Sequence, residues 1–132
     1  MGFKELVEGA SNILSAKYDY SEEKNVYSIS IEYEDSSKQL VNVYQDLFEN
    51  EQEGISKKII VCESTLGKYD SSKNINFLSK SNNDFFFSKA YISEDDQVLV
   101  ENCSFMEGLN DLNLSVIISE VAEHASILSE KI

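Results

Sequence analysis

The apolar residues of this chain change their spacing twice, and that change limits what it can fold into. Phe3, Leu6, Val7, Ala10, Ile13 and Leu14 recur at helical spacing and make one apolar stripe. From Val26 the period becomes two. Tyr27, Ile29, Ile31 and Tyr33 alternate with Ser28, Ser30, Glu32 and Glu34, as in a strand with one face to water. Near the other end the helical period returns. Leu114, Ile117, Ile118, Val121, Ala125, Leu128 and Ile132 face one way, and Ser119, Glu120, Glu123, Ser126 and Glu130 the other. Asn110, Asp111 or Asn113 is placed to cap that helix.

Between the two helices the pattern predicts further strands at 39–48, 57–66, 85–92 and 97–105. The second of these is apolar on both faces, at Ile59, Ile60, Val61 and Leu66, and should be central. Glu34 to Ser37 and Ser93 to Asp96 read as turns. Ile75, Phe77 and Leu78 suggest a short helical turn in a polar crossover. With no proline and five glycines, these elements can run with few breaks. The expected architecture is α+β: an antiparallel sheet of about five strands with N- and C-terminal helices packed against it. A chain of 132 residues suits one domain, 1–132.

Twenty-four acids against eleven bases give a formal net charge of −13, and every base is lysine. Such a surface repels nucleic-acid phosphates and anionic lipid, so neither is an expected partner. A basic protein segment suits the field better. No apolar run reaches the roughly 20 residues of a membrane span, and the first residues lack a signal-peptide core. A cytoplasmic location is therefore expected, with Cys62 and Cys103 reduced. Both lie in strand patterns and read as small core residues.

Chemistry is hard to find. One histidine excludes multi-histidine metal sites, and Glu94-Asp95-Asp96 is too short for a calcium loop. A Cys–His pair would need His124, which reads as a boundary residue on the shoulder of the last helix. Glu32 and Glu34 share a strand face that reads as solvated. Gly54 and Gly67 stand alone, outside any phosphate-binding pattern. No catalytic residue, metal or cofactor is expected. What stands out is Phe85-Phe86-Phe87. Consecutive positions on a strand point to opposite faces, so helices on one face would leave rings exposed. Tyr44, Phe48, Phe86 and Phe105 are the candidate partner-binding residues.

The segment Phe87-Ser88-Lys89-Ala90-Tyr91-Ile92-Ser93-Glu94-Asp95-Asp96-Gln97-Val98-Leu99-Val100-Glu101 is followed by Phe105-Met106-Glu107-Gly108-Leu109 and the final helix with Ala122 and Ala125. This hairpin, apolar-x-Gly-Leu step and helix resemble the C-terminal half of type III secretion chaperone-like domains, and the bacterial YbjN family within that fold. Ile75 to Ser79 resembles the short helix before the hairpin. The resemblance implies a sheet with helices against it, a homodimer, no catalytic residues, and binding of a protein segment. The resulting expectation is a non-catalytic, chaperone-like domain that holds part of a partner protein of unknown identity. The alternative is an acidic inhibitor or immunity-type protein that blocks a toxin or enzyme.

Overall fold

The computed structural model describes residues 2–132. In chain order the elements are α1 (Phe3–Ile13), β1 (Lys17–Ser21), β2 (Val26–Glu32), β3 (Lys38–Asn50), β4 (Ile55–Lys68), α2 (Ile75–Ser81), a 3-10 turn at Asn82–Asp84, β5 (Lys89–Ile92), β6 (Gln97–Phe105) and α3 (Asp111–Lys131). The strands form a six-stranded antiparallel sheet in the order β1-β2-β3-β4-β6-β5. This is the α+β arrangement that the spacing predicts, with β4 inside the sheet as expected.

The sixth strand, β1, is the one the sequence reading lacks. Its five residues alternate Lys17, Asp19 and Ser21 with Tyr18 and Tyr20, and all are exposed. It forms an edge, where charged side chains discourage pairing with other chains. The Tyr18 and Tyr20 rings lie 5.5 and 4.5 Å from that of Tyr27. Asn25, at φ 53°, closes the hairpin.

Register decides which residues meet. Ile29 pairs with Val41, Tyr27 with Val43, Val43 with Cys62, and Ala90 with Val100. Because strand side chains alternate, these residues share one face, and all are buried. Leu6, Val7 and Ala10 of α1 join this core with Leu114, Ile118, Val121, Ala125 and Leu128 of α3. Each large aliphatic side chain so buried contributes about 1.5–3 kcal/mol. Gly9 allows α1 to pass the first turn of α3, since a Cβ there would lie 2.8 Å from the Asp111 carboxylate. Asn110 caps α3, its Oδ1 accepting from Asn113 N at 2.7 Å. Asn74 caps α2 in the same way through Phe77 N at 3.1 Å.

Three expectations are corrected. Phe85, Phe86 and Phe87 are not on a strand; β5 starts only at Lys89. Two of their amides are claimed by one side chain, because the Glu120 carboxylate accepts from Phe86 N at 2.6 Å and Phe87 N at 2.8 Å. Asn82 bonds Ala90 on both its N–H and C=O, at 2.6 and 3.1 Å, and so holds the start of β5. His124 is no boundary residue, being fully buried between α3, α2 and the 85–88 segment. Cys103 is exposed, while Cys62 lies in the core.

Candidate functional site

The face of the sheet opposite α1 and α3 carries the alternate residues of each strand. On β3 these are Leu40, Asn42, Tyr44, Asp46 and Phe48. On β4 they are Ile55, Lys57, Ile59, Val61 and Glu63; on β6, Leu99, Glu101, Cys103 and Phe105. Phe48 is 44% exposed and Phe105 55%. Their rings meet edge to face with centroids 6.0 Å apart, bridging β3 and β6 across β4. Val61, between Tyr44 and Cys103 in register, is the one side chain of the group that its neighbours cover completely.

Three of the four partner-binding candidates, Tyr44, Phe48 and Phe105, therefore lie on one uncovered surface. The fourth does not. Phe86 is 91% exposed on the helix side, in the loop held by Glu120. Beside it, Leu14, Phe87, Val116 and Glu123 line a separate shallow groove of about 390 Å³.

The sheet face also holds residues that the sequence did not single out. Glu63 and Glu101 stand directly opposite each other across β4 and β6. Tyr44 OH donates to Glu63 Oε2 at 3.4 Å, and Tyr91 OH to Glu101 Oε2 at 3.1 Å. Cys103 Sγ lies 3.5 Å from Glu101 Oε1. Burial, and then the charge of Glu101, hold the Glu63 carboxyl above the usual carboxylate range. Burial and Glu101 likewise push the Tyr91 phenol up to about 12 and the Cys103 thiol up to about 11. Each acid alone reads as a solvated strand residue; only the long-range register shows them as a pair.

These groups make a poor catalytic centre. Cys103 stays a protonated thiol at neutral pH, and burial raises the Cys62 thiol further still. His124 meets neither cysteine; its ring contacts Ser81, Ser88 and Phe85. Among the described residues, no three histidine, cysteine, aspartate or glutamate side chains gather as a metal-holding group. A cleft of about 560 Å³ between the end of α1, β1 and β2 is lined partly by Lys17, Asp19, Glu32 and Lys38, whose side chains make no hydrogen bonds to one another.

The sheet thus presents one uncovered face with aromatic side chains and is backed by two helices on the other. No family model matches the chain, and no curated protein does either. Solved structures do match it. The type III secretion chaperone SycH of Yersinia pestis, in complex with a stable fragment of YscM2, aligns over 96% of this chain and 99% of its own, with a TM-score of 0.59 at 14% identity. The fold is therefore that of the type III secretion chaperone-like α+β domains. Among the described residues, no helix is long and apolar enough to cross a membrane.

Proposed function

We propose that this chain is a non-catalytic protein-binding domain that holds a segment of a partner protein on its uncovered sheet face. One observation carries the reading: Phe48, Phe105 and Ile55 are large apolar side chains exposed close together on the same face. Neighbouring exposed apolar residues of this kind mark interaction surfaces. The likeness to a chaperone solved with a bound protein fragment supports it. A YbjN-like lineage, a single domain over 1–132, a cytoplasmic setting and a homodimer belong to the same proposal. The acids occur on α3, in the loops and on the sheet alike, so no single acidic face favours the inhibitor reading.

A photo-crosslinking residue placed at Phe48 or Phe105 in the native cell tests this. One protein should be captured from both positions and lost when the other position is changed to serine. Adducts no more abundant than those from Ser129, an exposed position on α3, would overturn the proposal.

A further inference from the structure

Resting on that reading, we infer that the segment bound on the sheet face presents a lysine or arginine to Glu63 and Glu101, with apolar side chains on either side. The two carboxylates face each other directly across β4 and β6. Like charges in that position destabilise a sheet. Among the described residues no cation lies within ion-pair distance of either carboxylate. Among the described residues the only ion pair is Lys57–Glu107, at 3.1 Å. Lys89 pairs with Glu101 in the β5–β6 register, yet its Nζ turns away to Asn82 O at 3.2 Å. The groups that do reach the acids are two phenols and a thiol, none of which carries a positive charge.

The surroundings complete the shape of the ligand. Ile59 and Phe105 lie four residues along β4 and β6 from Glu63 and Glu101. At strand rise this places Ile59 and Phe105 about 13 Å from the acids, with Phe48 about 20 Å away. Leu99 and Tyr91 flank the acids on the other side. The face thus fits a basic side chain with an apolar one about 13 Å away along the strand direction. A second copy seated with its own Glu63–Glu101 pair on this one would only add like charge, whereas a basic segment supplies the missing cation.

The test is selection from a displayed library of random 14-residue peptides, using the wild-type chain and the Glu63→Gln/Glu101→Gln variant as separate targets. Both substitutions remove repulsion, so the variant should fold, and a thermal melt checks it. Peptides selected by the wild type should share a basic residue at fixed spacing from an apolar one. They should bind the double variant roughly tenfold more weakly in 0.1 M salt. Selected peptides that are apolar but carry no basic residue would overturn this inference and leave the binding function intact. Failure to select any peptide would overturn both. Self-association abolished by Phe48→Ser would replace the inferred ligand with a second copy.

Discussion

His124 must stay neutral to stay buried. Ser81 Oγ donates to Leu78 O at 2.7 Å and also lies 2.8 Å from His124 Nε2. With its hydrogen so engaged, Ser81 accepts from Nε2–H, leaving Nδ1 to accept from Ser88 Oγ at 2.8 Å. Every polar atom of the ring is then satisfied, and Phe85 stacks on it with centroids 4.1 Å apart. Burial, and then the charge of Lys89, bring its pKa down to about 4. The unfolded chain, with its ordinary histidine, takes up a proton at higher pH than the folded one. Stability should therefore be full above pH ~6.5 and fall by on the order of 2 kcal/mol as pH drops toward 4. Urea melts at pH 7 and 4.5 measure this, and His124→Gln should flatten the difference. Glu63 acts in the opposite sense. Its raised pKa means that the charged form opposes folding, so this penalty grows as pH rises through the folded value. Glu63→Gln should raise Tm at pH 7 by about 3 °C, allowing for solvent screening, with the gain vanishing in acid. Tyr33 offers a simpler case, since its buried hydroxyl has no hydrogen-bond partner. Tyr33→Phe should stabilise the protein by about 1 kcal/mol in denaturant titration.

At the scale of elements, the long periodic segments were legible in the sequence and the tertiary side-chain bonds were not. α1, β2, α3 and the β5–β6 hairpin follow directly from periods of 3.6 and two. The alternation in Lys17-Tyr18-Asp19-Tyr20-Ser21 was readable as well, but its five residues bury nothing, so no apolar stripe marked it. His124 reads as a boundary residue, yet it falls on the line Ile117, Val121, His124, Leu128, a spacing that marks the buried stripe. By contrast, the Phe85–Phe87 run looks like the strongest strand in the chain. It fails as a strand because one carboxylate, 33 residues further on, takes two of its amides. No local pattern contains that information. The candidate site divides in the same way: its aromatics were visible one by one, but its acid pair needed the β4–β6 register. Glu120→Ala should free the loop and speed amide exchange at Phe86 and Phe87 about tenfold, with little change elsewhere. Phe86→Ser should alter stability by less than about 0.5 kcal/mol, as expected for a ring 91% exposed. If the homodimer forms through this knob and its neighbouring groove, the same variant should shift sedimentation from dimer to monomer.

For the whole molecule, the net charge of −13 acts at longer range than any single contact. Association with a basic partner should slow steeply as salt shortens the screening length to about 8 Å at 0.15 M. Stopped-flow mixing across a salt series would measure this. The core itself is assembled from both ends of the chain. α1 packs against α3, and α3 contributes nine buried residues from beyond the last strand. A fragment 1–110 should accordingly lack a cooperative thermal transition. The same arrangement bears on synthesis in the cell. Until Asp111–Lys131 has been translated, only α1 covers any of the sheet's future core surface, and the rest is as open to strangers as its binding surface. At ribosomal speed those 21 residues take about 1–4 s. Codon choice across this final stretch therefore sets how long a nascent chain is open to capture on the wrong face.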